Sequence, residues 1–237
     1  MRPRSPEHPF FCALDTADLE RAGALAGALA ASGGGIKVGN ELFTAHGPQG
    51  VRRLTRDGAP PLFLDLKYHD IPNTVAGAIR AALPLAPFLV NVHAAGGASM
   101  MQAAAAAAAG AGEDRPRVVA VTVLTSLDDA DLDAVGIQGP TATRAVELAR
   151  LARDCGLDGV VCSPHEIAGI RAACGPGFLL VVPGIRPAGI DSDDQKRVMT
   201  PAQALAVGAD YLVIGRAVTA AADPRAALRR IATELAA

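Results

Sequence analysis

The chain has 237 residues, 50% hydrophobic and 19% charged, which is enough for one sizeable core and within the range of a single α/β barrel. A net charge of -2, a pI near 6.2 and a chain of six Phe, two Tyr and no Trp leave neither a basic surface nor stacking platforms for nucleic acid. The apolar stretch at 10–14 is too short for a signal-peptide core and no run is long enough to span a bilayer, so a soluble, cytoplasmic protein with no membrane partner is expected.

Apolar, β-branched runs bounded by breakers predict eight strands, at 10–15, 36–39, 62–67, 89–93, 118–124, 159–162, 178–183 and 211–215, each followed by a helix-like stretch. The first ends at Asp15. Gly33-Gly34-Gly35 precedes the second strand instead of following one, so it is not the phosphate loop of an open dinucleotide-binding sheet. The second strand carries Lys37. In the third, Asp65 and Lys67 are two apart and share a face, while Leu64 and Leu66 point the other way, and Asp70 follows shortly after. Such alternating charge is either a structural ion pair or a proton-transfer array. The fourth strand brings Asn91 and His93. The alanine run at 103–109 falls where a helix is required, and alanine is the best helix former. Thr125 and Ser126 end the fifth strand; either contacts a ligand or caps the next segment. Ser163-Pro164-His165-Glu166 and Thr200-Pro201-Ala202-Gln203 each read as a capping residue, proline in the first turn and an acid or amide three on, which marks two helix starts. Gly184, Arg186, Gly215 and Arg216 follow the last two strands, and Asp223-Pro224 opens the final helix.

Eightfold strand–helix alternation with near-continuous apolar strands predicts a (β/α)8 TIM barrel, a single domain over 1–237. In that fold function gathers where strands end, which is where the polar residues named above fall. Of 22 basic residues 19 are Arg, and a lysine among them, Lys37, Lys67 or Lys196, offers what guanidinium cannot: a proton released near neutral pH. Cys12, Cys155, Cys162 and Cys174 show no CxxC pairing and read as buried free thiols, not as metal or redox sites. His93 has no second His or Cys at ligand spacing and reads as a hydrogen-bonded rim histidine.

The phosphate end is legible from the residues themselves. Gly184 and Gly215 let backbone approach an anion, Arg186 and Arg216 supply forked donors, and the end of strand eight is a usual phosphate position in barrels. Segment 185–199 carries Pro187, Gly189 and several acids and is long for a βα connection; it reads as a lid closing on the phosphate through Gln195, or as a plain surface loop with Lys196 and Arg197 as ordinary charge.

Ala13-Leu14-Asp15, Lys37-Val38-Gly39 with Glu41-Leu42-Phe43, the DxKxxDIPNT signature at 65–74, Val92-His93-Ala94-Ala95-Gly96-Gly97, Leu124-Thr125-Ser126, Pro183-Gly184-Ile185-Arg186, Asp194-Gln195-Lys196-Arg197 and Ile214-Gly215-Arg216 occur in one order. Together they resemble the bacterial type of orotidine 5′-phosphate decarboxylase over nearly the whole chain. The resemblance implies conversion of orotidine 5′-phosphate to UMP and carbon dioxide, with no metal or organic cofactor, in a homodimer with shared active sites. It implies Lys67 as the group that stabilises the developing carbanion and protonates it, with Asp65 and Asp70 flanking Lys67. Lys37, counted with the catalytic group, and Asp15 would contact the ribose hydroxyls and extend the charged array. Asp70 and Thr74 would reach the neighbouring subunit's site, with Ile71 also at the substrate. Thr125 would bond the pyrimidine, and Pro183, Arg186, Gln195, Gly215 and Arg216 would also bind the substrate. Two other readings remain: a sugar-phosphate lyase or decarboxylase working through a magnesium-held enediolate, which wants a further metal-binding acid near DxKxxD, and a non-catalytic nucleotide-binding barrel, which has no need of Lys37, Asp65, Lys67 and Asp70 together.

Overall fold

A computed structural model describes residues 5–56, 58–186 and 199–236. The elements run β1 (Phe10–Ala13), α1 (Leu19–Ser32), β2 (Gly35–Val38), α2 (Asn40–Leu54), β3 (Leu62–Tyr68), α3 (Pro72–Ala82), β4 (Leu89–His93), α4 (Ala98–Ala109), β5 (Arg117–Val121), α5 (Asp129–Ala134), α6 (Thr141–Asp154), β6 (Gly159–Val161), α7 (Ile167–Cys174), β7 (Leu179–Val182), α8 (Pro201–Val207), β8 (Tyr211–Ile214), α9 (Arg216–Thr219) and α10 (Pro224–Ala236). The eight strands are all parallel and close on themselves where Phe10, Phe11 and Cys12 of β1 pair with Leu212, Val213 and Ile214 of β8. The fold is the (β/α)8 barrel that the alternation predicts.

Strand periodicity of two divides each strand between two environments. Outward residues such as Cys12, Ile36, Leu64, Val90, Ala120, Leu180 and Ile214 pack against the helices in one large core. Inward residues form a second cluster of Phe11, Phe63, Phe88, Leu89, Val119, Val181 and Val213, with Tyr211 packed on it. Near the strand starts the Phe11 ring lies 5.8 Å from Phe63, 6.2 Å from Phe88 and 5.7 Å from Tyr211, so aromatics plug the lower end of the barrel. The triple glycine belongs to this plug. Gly33 ends α1 in the left-handed region (φ 72°), and at Gly35 a β-carbon would run into the Phe11 ring.

The lower face is also tied electrostatically. Arg115 grips Asp158 with two hydrogen bonds of 2.7 and 2.9 Å while Asp158 accepts the Val118 amide at 2.7 Å. Arg171 and Asp210 repeat the device two strands on: the pair is 2.7 Å apart, and Asp210 accepts the Leu180 amide at 2.7 Å. The capping boxes predicted at Ser163 with Glu166 and at Thr200 with Gln203 are both formed, and Asp223 accepts the Ala226 amide at the start of α10. The alanine run lies inside α4, which packs on α3 with Ala104, Ala107 and Ala108 buried.

β5 is shorter at its end than predicted. After Val121 both the amide and the hydroxyl of Thr122 bond to the carbonyl of Val161, and a turn closed by Leu127 N–H on Leu124 O leads the chain away. Thr125 and Ser126 therefore stand on a loop, not at the strand's end.

Candidate active site

Each inward row changes chemistry along its length. On β3 it reads Phe63, Asp65, Lys67; on β2 Gly35, Lys37; on β4 Leu89, Asn91, His93; and on β1 Phe11, Ala13 runs on to Asp15. Apolar side chains thus fill the barrel below and charges emerge above. At that upper mouth lies a cavity of about 290 Å³. Its floor and walls include Ala13, Phe63, Val121, Val161 and Val213, and its polar lining includes Asp15, Lys37, Asp65, Lys67, Thr125, Arg186 and Arg216.

The acids and lysines alternate around one arc of the mouth. Lys37 Nζ lies 3.4 Å from Asp15 Oδ1 and 3.1 Å from Asp65 Oδ2, and Lys67 Nζ lies 2.6 Å from Asp65 Oδ1. Asp65 and Lys37 are buried, Lys67 half-buried and Asp15 open to solvent. Burial alone would push the Asp65 carboxyl up, but the charges of Lys37 and Lys67 and the hydrogen bonds from Lys67 and Asn91 outweigh it and hold the group below the usual carboxylate range. For Lys37 burial favours the neutral amine, and the pull of Asp65 and Asp15 outweighs it, so its affinity for a proton is raised.

Lys67 itself is conformationally unusual. Its φ is 51°, in the left-handed region, which costs a residue with a β-carbon ~1–2 kcal/mol. The β3–β4 register explains the site of the strain: Leu64 pairs with Val90 but Tyr68 with Val92, so β3 bulges between them. Within the bulge the Lys67 amide donates to the side-chain Oδ1 of Asn91 at 2.8 Å, and Asn91 Nδ2 donates to Asp65 Oδ1 at 2.6 Å. Asn91 is fully buried and does not line the cavity. Sequence reasoning placed it on the rim without assigning it a role; the signal available was an amide on the inward row of a parallel strand, two residues below His93.

Other predicted residues separate clearly. Pro183, Arg186, Gly215 and Arg216 line the cavity beside β7 and β8, together with Gly184, whose φ of 78° turns the chain inward. Arg186 is buried, and among the described residues its Nε and Nη2 meet no hydrogen-bond acceptor. Such an orphaned cation facing a cavity calls for an anion. Thr125 lines the cavity and Ser126 does not. Asp70, Ile71 and Thr74 do not join it from within the same chain: Asp70 accepts the adjacent Ile71 amide at 2.6 Å, and Ile71 is 68% exposed. Asp70 therefore follows Lys67 in sequence but does not line this cavity. The His93 ring lies tilted against that of His69, ring centres 5.4 Å apart, and burial, then His69 and Lys67, lower its affinity for a proton. Cys12 and Cys162 are buried thiols, the former pushed up to about 12 by burial. The two ends of the 185–199 segment are pinned, since Arg186 N–H donates to Met199 O at 3.0 Å, but Gln195, Lys196, Arg197 and the rest of the segment read as a lid lie outside the described residues.

Residues 8–231 match the model of the orotidine 5′-phosphate decarboxylase / HUMPS family. The chain belongs to that family. It is a decarboxylase by this membership, and no described helix is long and apolar enough to cross a membrane. Among family relatives, orotidine 5′-phosphate decarboxylase of Rhodospirillum rubrum is 53% identical over 233 residues, covering 97% of this chain and 94% of the relative. That of Anaeromyxobacter sp. (strain K) is 55% identical over 230 residues, covering 97% and 99%. The crystal structure of orotidine 5′-phosphate decarboxylase from Lactobacillus acidophilus superposes with a TM-score of 0.86 at 37% identity, covering 98% of this chain and all of that one.

Proposed function

We propose that this chain converts orotidine 5′-phosphate to UMP and carbon dioxide, and that Lys67 carries the chemistry. The observation that bears most weight is one cavity holding an ammonium gripped by a buried carboxylate and, elsewhere on its wall, a buried guanidinium with donors unmet among the described residues. Breaking the bond between ring carbon 6 and the carboxylate leaves the electron pair at carbon 6 in the ring plane, where delocalisation is poor. A preorganised ammonium stabilises that charge as it develops and then donates the proton that forms the C6–H bond, and the neutral amine regains a proton from solvent. Asp65 and Lys37 orient Lys67 and keep the arc balanced in charge, and Lys37 with Asp15 faces the ribose hydroxyls. Arg186, Gly215 and Arg216 take the phosphate, and Thr125 and Pro183 the pyrimidine. Gln195, on the segment read as a lid, is assigned to the phosphate by that reading and by the resemblance.

The same reading makes the protein a homodimer with shared sites. Asp70 and Thr74, with Ile71, stand outside their own cavity, and an isoleucine 68% exposed beside a site-forming loop favours burial against a second copy. A spectrophotometric assay on orotidine 5′-phosphate with EDTA present tests the reaction and separates it from a magnesium-held enediolate chemistry. Lys67→Ala is expected to lower kcat by at least about a thousandfold, the scale of losing one preorganised charge-stabilising group together with the proton donor. Substantial turnover by that variant would remove Lys67 from the role.

A further inference from the structure

We propose that Asn91 is a positioning residue of this site, its carboxamide holding the bulged Lys67 backbone and the Asp65 carboxylate in one rigid ring so that the Lys67 ammonium points into the cavity. The inference deepens the function proposed above and rests on it for the reaction assayed. Four hydrogen-bonding groups close the ring. Lys67 N–H donates to Asn91 Oδ1 at 2.8 Å, Asn91 Nδ2 donates to Asp65 Oδ1 at 2.6 Å, and Lys67 Nζ donates to that same oxygen at 2.6 Å. The Lys67 side chain completes the circuit.

Each part of this arrangement needs the others. A left-handed residue at a bulge has left the regular ladder, so its part-buried amide needs an acceptor that the neighbouring strand's backbone does not supply. Asn91 is that acceptor, reaching across from the inward row of β4. The carboxamide can be placed only one way round, since the opposite flip sets its NH2 against the Lys67 amide and its oxygen against the Asp65 carboxylate. Near neutral pH an amide offers an acceptor to the Lys67 N–H and a donor to the carboxylate without charge, which an aspartate of the same size does only when protonated. Because Asn91 does not line the cavity, it acts through Lys67 and Asp65 and not on the substrate.

Asn91→Ala, Asn91→Ser and Asn91→Asp distinguish positioning from simple support of the fold. Asn91→Ala is expected to lower kcat about a hundredfold, the cost of an ångström-scale misplacement of a reacting group, while KM stays within about threefold because ribose and phosphate contacts lie elsewhere. Asn91→Asp carries the sharper signature. Around that position stand Asp65 and Lys67 on β3 and Lys37 on β2, with His93 farther along β4, His69 beyond β3, and apolar Val119 opposite on β5. Ionised, the introduced carboxyl faces Asp65 as a like charge; protonated, its O–H donates to Asp65 and its carbonyl accepts from Lys67, as the amide does. The kcat of Asn91→Asp relative to the unmodified protein should therefore rise as pH falls. Hydrogen exchange supplies a readout independent of turnover: in Asn91→Ser and Asn91→Ala the Lys67 amide should exchange at least about tenfold faster while the paired β3 residues Phe63 and Leu64 keep their protection.

A kcat for Asn91→Ala within threefold of the unmodified protein, a pH-independent ratio for Asn91→Asp, or unchanged exchange at Lys67 would each overturn the inference. If instead the unmodified protein fails to turn over orotidine 5′-phosphate, the proposed function falls, and the exchange experiment still decides whether Asn91 holds Lys67.

Discussion

Replacing Asp65 by Asn probes the ion array at its most buried point. The carboxylate receives Lys37 at Oδ2 and both Lys67 and Asn91 at Oδ1, so three donors converge on two oxygens. An amide keeps one oxygen; set to satisfy Lys67 and Asn91, it turns its NH2 toward Lys37. That leaves a buried ammonium, its side chain 10% exposed, facing a donor at 3.1 Å and helped, among the described residues, by Asp15 at 3.4 Å. Removing one partner of a buried ion pair costs about 3–5 kcal/mol, and at 2–4 °C per kcal/mol for a chain of this size the melting temperature should fall by roughly 6–20 °C near pH 7. The loss depends on pH with a definite sign. Asp65 has a folded pKa below its unfolded value, so its stabilisation is present above pH ~4 and vanishes as pH falls through the lowered value. Lys37 has a folded pKa above its unfolded value, so its stabilisation is full below pH ~10.4 and is lost as pH rises through the raised value. Circular-dichroism melts of both proteins should thus differ most between these limits and converge outside them. Adding Lys37→Met removes the stranded charge, and the double variant should melt above Asp65→Asn alone. A single variant within 2 °C of the unmodified protein, or a double variant whose losses simply add, would refute the argument.

Two further outcomes follow from the rest of the site. Arg186→Ala should raise KM for orotidine 5′-phosphate at least tenfold and leave turnover of the phosphate-free nucleoside nearly unchanged, because the guanidinium donors that stay unmet among the described residues are assigned to the phosphate; equal effects on both substrates in steady-state assays would remove that assignment. Ile71→Asp should convert the proposed dimer to monomer in size-exclusion chromatography with light scattering and lower activity at least tenfold without changing the melt of the isolated barrel, since the side chain is exposed and outside the core. A variant that elutes like the unmodified protein at full activity would show that this loop meets no partner.

Much of this was legible in the chain because strand periodicity is a strong signal. Inward rows that begin with Phe11, Phe63 and Tyr211 and end in Asp15, Lys67 and Gly215 declare which end is packed and which is open. Capping chemistry at Ser163 and Thr200 was likewise local and came out as read. What escaped was non-local. The bulge of β3 depends on its register with β4, which no spacing within 62–68 reveals, and so the partnership of Asn91 with Lys67 was invisible. The early end of β5 depends on Thr122 finding Val161 across the sheet. Asp70 follows Lys67 by three residues, yet the turn between them sends it away from the cavity, because the chain must leave the barrel there to enter α3.

The order of groups around the mouth gives the nucleotide reading its physical sense. Starting at β7 and passing through the β8–β1 closure to β3, the cavity presents Arg186, then Gly215 and Arg216, then Asp15, then Lys37, and last Asp65 with Lys67. Donors for an anion come first, groups suited to hydroxyls next, and the acid–ammonium pair at the far end, while Val121, Val123 and Leu124 by β5 offer a flat apolar wall. A nucleoside phosphate has its parts in that same sequence, so one binding pose lets the phosphate be gripped at one end of the arc while the ring meets Lys67 at the other. Binding energy collected from the non-reacting end is then available to hold the ring against a charge fixed in place beforehand. The apolar floor strengthens this, since Phe63 and Val213 keep the base of the cavity at low polarity, where an oriented ammonium acts on a nascent anion far more strongly than in water.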